Sequence, residues 1–340
     1  MISGLLGVAL LGLLAGCIWQ STGGSKNSSC TRQIFAMDTV MSFTAYGKNC
    51  EEAVDAAIEE VKRLDSLLST GDPDSEISRL NVAGVSSVSE DTVVLFERAL
   101  AVCETTGGLF DVSVYPLMEL WGFPTGEYHV PSEEELEDVL PLVDASQIEV
   151  TGSQVRLGAG QRVDLGGIAK GYASARIMEI YEQHGVCSGM VSLGGNIQVL
   201  NRKPDGSGFR IGIREPEGNS ADIVAVVEVE NRAVVTSGGY ERYFEENGNI
   251  YIHILDPGTG RPVEGDLASV TVVSEDGMLA DALSTALYIM GLEDALAYWR
   301  NYGENFELVL ITKTGELYAT EGLENCLEAS DGFRIMERDG

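Results

Sequence analysis

Three short segments carry side chains able to act on a phosphorylated ligand and a divalent cation. The first is Asp164-Leu-Gly-Gly-Ile-Ala-Lys-Gly171. It reads as a strand ending on an aspartate, a turn at Gly166-Gly167 and a helix start. Unpaired backbone N–H groups at a helix start attract phosphate, and glycines let a ligand approach the backbone closely. Lys170 falls in the first helical turn, where the helix dipole disfavours a cation. A bound diphosphate would convert that penalty into a gain. A structural turn with a solvated lysine fits the same residues. The pattern is neither G-x-G-x-x-G nor a Walker A loop.

The second segment is Asp281-Ala-Leu-Ser-Thr285. Positions i and i+4 of a helix share a face, so carboxylate and hydroxyl converge. Both are hard oxygen ligands of the kind Mg²⁺ takes together with waters and substrate phosphates. A capped helix start is the simpler reading of this stretch. The third is Tyr251-Ile-His253-Ile-Leu-Asp256-Pro257. The chain holds only His129, His184 and His253, too few for a His-rich metal site. His129, in a polar loop beside Pro131, and His184, near a helix end, read as structural. His253 could act as a general base because imidazole titrates near neutrality. A hydrogen-bonded strand histidine competes with that role. Three glycine-bearing segments complete the set. Gly107-Gly-Leu109-Phe110-Asp111 could hold a planar ring and a ribose or base edge, or simply end a helix. Leu193-Gly194-Gly195-Asn196 is a turn after a strand. Thr236-Ser-Gly-Gly-Tyr-Glu-Arg-Tyr243 is a polar turn into an aromatic strand.

Regular elements must hold these segments. Ala53, Ala57, Val61, Leu64 and Leu68 recur at helical period and predict a helix over 50–68. Ser69 to Leu80 reads as a polar loop. Ser89 caps a helix running to about Thr105, ended by Gly107-Gly108. Ser132, with three glutamates behind it, starts a helix near 132–140. Further helices are expected over 167–184, 280–290 and 293–301. Strands are expected over 32–46, within 148–164, and over 189–200, 209–214, 223–236, 250–255, 268–274, 307–312 and 316–320. Strands and helices mix without regular βαβ alternation, so the fold class is α+β, with mixed or antiparallel sheets and packed helices. The stretch near 120–147 reads as a peripheral lobe.

The 340 residues suit one large domain or two intimately packed ones. Lys+Arg total 22 against 53 Asp+Glu, a net charge of −31. Such a surface repels phosphate backbones and anionic headgroups, so no nucleic-acid partner is expected and membrane attachment must be covalent or hydrophobic. Ile2 to Gly16 is an apolar run too short for a comfortable membrane span and suited to an export signal. Its end, Leu14-Ala-Gly-Cys17, resembles the lipobox of bacterial lipoproteins, in which the cysteine is diacylated and anchors the chain. No Lys or Arg precedes the run, which departs from that pattern. Domain bounds follow: a lipoprotein signal over 1–16, a flexible tether over 17–31 and a folded domain over 32–340. The expected location is the extracytoplasmic side of the cell membrane, lipid-anchored through Cys17. Cys30, Cys50, Cys103, Cys187 and Cys326 show no metal-ligand spacing. A Cys30–Cys50 disulfide is open in an oxidising compartment.

None of the segments is decisive alone, but their order is. Met37-Asp-Thr, Ser75-Glu-Ile-Ser-Arg-Leu-Asn81, Gly-Gly-Leu-Phe-Asp, Asp-Leu-Gly-Gly-Ile-Ala-Lys-Gly-Tyr, Leu-Gly-Gly-Asn, Ser-Gly-Gly-Tyr-Glu-Arg, His-Ile-Leu-Asp-Pro and Ala-Asp-Ala-Leu-Ser-Thr follow one another along the chain. This series, over about residues 32–320, resembles the FAD:protein FMN transferases, the ApbE flavin transferase lipoproteins. The resemblance implies an ApbE-like, T-fold-like architecture. It also implies an enzyme that binds FAD and Mg²⁺, splits the diphosphate, joins FMN by a phosphoester to a threonine or serine of a target flavoprotein, and releases AMP.

Carried over by motif, Asp281, Ser284 and Thr285 look like metal ligands, completed by the Gly167 carbonyl. Asp164, Lys170, Met37, Leu109, Phe110, Asp111 and Leu255 are expected to touch FAD, with Gly194 and Gly195 close by. Lys170 would stabilise developing charge, and His253 would take the acceptor hydroxyl proton. Many relatives carry an aromatic residue after the Ser69-Thr70 position; here Gly71 stands instead, so stacking on the flavin is weaker or comes from another residue. The resemblance implies as acceptor a subunit of a membrane-bound ion-pumping reductase or an extracellular flavoprotein. An FAD pyrophosphatase, a non-catalytic flavin-binding lipoprotein and an electron-transfer flavoprotein are the alternatives.

Overall fold

The computed structural model describes residues 28–216, 218 and 222–338. The expected signal segment, Cys17 and most of the expected tether lie outside the described residues. In chain order the elements are β1 Ser29–Ala36, β2 Thr39–Tyr46, α1 Cys50–Leu68, α2 Glu76–Ala83, β3 Val85–Ser87, α3 Glu90–Thr105, α4 Tyr115–Leu120, α5 Glu133–Val139, β4 Glu149–Thr151 and β5 Gln154–Arg156. They continue with α6 Gly166–Gln183, β6 Ser188–Leu193, β7 Asn196–Leu200, β8 Phe209–Arg214, β9 Ile223–Val229, β10 Ala233–Gly238, β11 Tyr243–Glu246 and β12 Asn249–Ile252. The last are β13 Leu267–Ser274, α7 Gly277–Met290, α8 Leu292–Tyr302, β14 Phe306–Thr312, β15 Leu317–Thr320, β16 Leu327–Ala329 and β17 Arg334–Met336.

A nine-stranded sheet in the order β1-β2-β6-β7-β10-β13-β14-β15-β17 forms the centre, antiparallel except for β15 against β17. Its strands are apolar on both faces, and the period-2 alternation divides them between two cores. Val235, Val272, Leu308 and Leu310 face one core with Leu64, Ile177 and Leu287 from the helices. Val234, Val273, Val309 and Ile311 face the other, with Phe209, Ile211 and Val227 of the small β16-β9-β8 sheet. The result is three layers: helices, large sheet, small sheet. The class is α+β, as the irregular mixture of elements predicts. A third apolar cluster, Leu117, Trp121, Phe123, Leu136, Phe244 and Leu255, joins the region around residues 117–136 to the β11–β12 hairpin.

Several elements differ from expectation. The single strand over 32–46 is a hairpin, β1–β2, broken where Met37 and Asp38 take φ of 45° and 58°. β1 begins at Ser29, so the end of the expected tether belongs to the sheet. The polar loop over 69–80 contains the start of α2, capped by Ser75, whose Oγ accepts from the Ser78 N–H, with Ile77 and Leu80 buried. No strand leads into Asp164; the chain there is extended loop, and β5 ends at Arg156. All five described cysteines are free, Cys30 and Cys50 among them.

α6 carries the first motif and is fixed from two sides. The Tyr172 hydroxyl donates to Asp91 of α3, which pairs with Arg63 of α1 at 2.8 Å. On the other side, Gly171 and Gly277 let α6 and α7 close together. A Cβ at Gly171 would collide with the Gly277 carbonyl oxygen and lie 2.8 Å from Asp281 Cβ.

Candidate functional site

The two helix motifs meet at one cavity of about 770 Å³, within the usual size of pockets for small-molecule ligands. Met37, Leu109, Phe110, Asp111, Asp164, Gly167, Lys170, Gly194, His253, Leu255, Asp281 and Thr285 all line it. Residues separated by most of the chain length thus share one wall, because β2, β6, β7 and β10 are adjacent strands and α6 and α7 pack on the same sheet face. Gly194 lies in the β6–β7 turn with φ 62°, and a Cβ there would clash with Thr39, so that turn sits directly against the Met37–Thr39 turn.

At the start of α6, the Gly166 N–H donates to Asp164 Oδ1 at 2.8 Å. One of the backbone donors expected to await phosphate is therefore held by Asp164 itself. Lys170 Nζ reaches back to the Gly166 carbonyl at 3.2 Å and faces the cavity. The Gly171 N–H donates to Asp281 Oδ2 at 2.8 Å. A regular helix would direct that N–H at the Gly167 carbonyl, so Asp281 competes for the donor and relieves that carbonyl. Burial pushes the Asp281 carboxyl above its usual range, opposed by the Lys170 charge, by the Gly171 hydrogen bond and by the nearby Asn196 amide. Burial likewise raises Asp164, opposed by its Gly166 hydrogen bond and by Lys170.

His253 follows β12 and borders the cavity. Its Nδ1 lies 3.1 Å from the Arg242 carbonyl oxygen. A carbonyl can only accept, so Nδ1 carries the hydrogen and Nε2 keeps a lone pair. Burial pushes its pKa down to about 4, with the Arg242 and Lys170 charges acting the same way. At neutral pH this imidazole is uncharged, with Nε2 free to accept a proton. The other histidines lie elsewhere: His129 contacts Glu135 at 3.1 Å, and His184 Nδ1 faces the Ile180 carbonyl.

Two expected site residues lie off the cavity wall. Gly195 serves the β6–β7 turn, with φ 93°. Ser284 is 1% exposed; its hydroxyl donates to the Asp281 carbonyl and shares a 2.8 Å bond with Ser237. Asp111 reaches the wall, but its oxygens already accept from Ser113 and from the Ala145 N–H. Conversely, Asn196, Ser237 and Arg242 line the cavity without an expected role. All three stand inside segments flagged by their glycines, where the neighbouring polar residue was the available signal.

The electrostatics set a condition on any anionic ligand. Asp38, Asp65, Asp111, Asp164, Glu241 and Asp281 face the cavity against only Lys170 and Arg242. A diphosphate entering this surplus of carboxylates gains from an added cation. Among the described residues no group of three His, Cys, Asp or Glu could hold a metal alone. The donors at hand are one carboxylate, one hydroxyl and one relieved carbonyl, all hard oxygens. This incomplete set fits Mg²⁺, which keeps waters and binds substrate phosphates as further ligands.

The ApbE family matches this chain over residues 37–310. An FAD:protein FMN transferase of Treponema pallidum is 31% identical over 340 residues, covering 93% of each chain. One from Vibrio cholerae is 33% identical over 278 residues, covering 80% of this chain and 82% of that one. The crystal structure of the ApbE protein from Thermotoga maritima superposes with a TM-score of 0.82 at 32% identity, over 87% of this chain and 98% of that one. The flavin transferase ApbE from Vibrio cholerae gives a TM-score of 0.79 at 28% identity, over 88% and 99%. On the extent of these matches and of the shared fold, this chain belongs to the ApbE family.

Proposed function

We propose that this protein is a Mg²⁺-dependent FAD:protein FMN transferase. The observation that carries the reading is the convergence of Lys170, Asp281, Thr285 and His253 on one cavity. The relatives' names, FAD:protein FMN transferase, support the substrate and the reaction. In the reaction the hydroxyl oxygen of an acceptor threonine or serine bonds to the phosphorus on the FMN side of the diphosphate. The bond from that phosphorus to the bridging oxygen breaks, AMP leaves with that oxygen, and the hydroxyl proton passes to a base.

Phosphoryl transfer depends on alignment and charge neutralisation more than on covalent help. Lys170 meets charge developing on the phosphoryl oxygens. His253 Nε2 accepts the hydroxyl proton, held in the right tautomer by the Arg242 carbonyl. Leu109, Phe110, Leu255 and Met37 supply apolar surface for the flavin or adenine. Asp281, Thr285 and the Gly167 carbonyl would hold the metal. When bound it neutralises phosphoryl charge and holds the diphosphate in line.

The reading extends to a lipid anchor at Cys17, an extracytoplasmic location, and an acceptor that is a membrane-bound ion-pumping reductase subunit or an extracellular flavoprotein. No helix among the described residues is long and apolar enough to cross a membrane, and the acylated cysteine is the attachment this reading invokes. Labelling with a radioactive fatty acid, and its loss in Cys17→Ala, tests that part.

One observation favours FAD hydrolysis as a second activity. Around Gly71, at the cavity wall, a Cβ would meet only Ser69 Oγ at 3.9 Å, so this edge is open to water. Incubating the protein with FAD, Mg²⁺ and a candidate acceptor separates the readings. Flavin fluorescence on the denatured acceptor supports transfer. Free FMN means hydrolysis, and intact FAD refutes both.

A further inference from the structure

Asn196 opens β7, directly after the Gly194-Gly195 turn, and pairs with Leu193 on one side and Val235 on the other. Its neighbour on the same strand face is Gln198. The two carboxamides meet opposite fates. Gln198 Oε1 accepts from Ser174 of α6 at 2.8 Å. Asn196 is 1% exposed, yet neither its Nδ2 nor its Oδ1 has a hydrogen-bond partner among the described residues. Buried polar groups in folded proteins are nearly always satisfied, and an orphan carboxamide calls for a ligand or an ordered water. Asn196 is among the residues that line the cavity, as are Lys170, Asp281 and Thr285. It is also close enough to Asp281 to favour that residue's ionised form.

We infer that Asn196 is a diphosphate-binding residue: one Nδ2 hydrogen faces the Asp281 carboxylate and the other donates to a phosphoryl oxygen of the bound dinucleotide. An uncharged NH₂ group suits this place because it can lie between two anionic oxygens, donate to both and add no charge of its own. A lysine there would compete with a cation, and a carboxylate would repel both neighbours. The inference rests on the reading of the cavity as an FAD site and assigns to it a contact that the ordered motifs left without a role.

The test measures binding in EDTA, so that loss of a cation site cannot mimic loss of the contact. FAD and riboflavin are titrated by flavin fluorescence, and ADP by displacement of FAD. For Asn196→Ala, FAD and ADP affinity is expected to fall about tenfold or more, while riboflavin, which has no phosphate, is unchanged. Asn196→Asp keeps the shape but replaces the donor with an anion, so its loss for FAD and ADP is larger, again with riboflavin unchanged. Equal losses for riboflavin and ADP in either variant, or no loss in both, overturn the inference. Wild-type protein that binds neither FAD nor ADP sinks the FAD reading itself, a result that no variant is needed to see.

Discussion

The backbone N–H of Gly171 donates a 2.8 Å hydrogen bond to Asp281 Oδ2 across the α6–α7 interface. The bond joins the two motifs 110 residues apart. It orients one carboxylate oxygen and draws a donor away from the Gly167 carbonyl. It exists only because both crossing positions are glycine: a Cβ at Gly277 would lie 2.9 Å from the Gly171 carbonyl oxygen. The close approach of the helices is thus also what assembles the oxygen donors.

Gly171→Ala tests that dependence. The added methyl must push α6 from α7, at a cost of ~1–3 kcal/mol for overpacking. A lower Tm is expected together with a weaker apparent affinity for Mg²⁺ in the transfer assay. An unchanged Mg²⁺ dependence would separate helix packing from the metal site.

Asp281→Ala removes the single carboxylate among the proposed ligands and leaves the Gly171 N–H without its partner. Turnover is expected to fall roughly 10²-fold or more and to lose its dependence on Mg²⁺ concentration. Full activity would remove Asp281 from the metal site.

His253→Ala is expected to keep FAD affinity and lose transfer by roughly 10²–10⁴-fold, the range for a general base. Fluorescence titration reports the first quantity and acceptor labelling the second. Lost FAD affinity would make His253 a binding residue instead.

The pH dependence carries a sign. His253 is shifted from 6.5 to about 4, so its neutral form persists well below the usual imidazole range. The acidic limb it imposes on transfer lies near 4, and His253→Ala removes it. For stability, the depressed value means that its contribution is complete above 6.5, declines as the pH falls, and is gone below about 4. Denaturation titrations of wild type and His253→Ala converge at the acid end if this holds.

Gly71→Tyr adds a ring where the backbone leaves room, since the nearest atom to an added Cβ is Ser69 Oγ at 3.9 Å. Stacking between aromatic groups contributes ~0.5–1.5 kcal/mol. FAD affinity is expected to rise roughly two- to tenfold, with a larger share of FMN reaching acceptor rather than water. Product analysis by chromatography gives that ratio.

How far the chain could be read in advance varied with the range of the interaction. Periodicity marked α1, the Gly166-Gly167 turn marked the start of α6, and Ser89 and Ser132 sit as N-caps where their residue type and following acids place them. The Met37–Asp38 turn was hidden, because neither residue is glycine or asparagine and the apolar alternation runs straight through it. α2 was hidden by its polar composition; only the burial of Ile77 and Leu80 beneath it makes it a helix with a face.

The sequence by itself determined the family, the α+β class and most of the residues that line the cavity, because glycine turns, a capped aspartate helix and a histidine after a strand are local features that can be read in order along one chain. Tertiary structure alone decided which contacts each candidate residue makes. The Ser284 hydroxyl is taken up by the Asp281 carbonyl and Ser237, and Gly195 serves a turn, while the Asn196 carboxamide is buried without a partner among the described residues. Which way a side chain points depends on strand register and on how closely two helices can pack, and both are set by contacts between residues far apart in the chain.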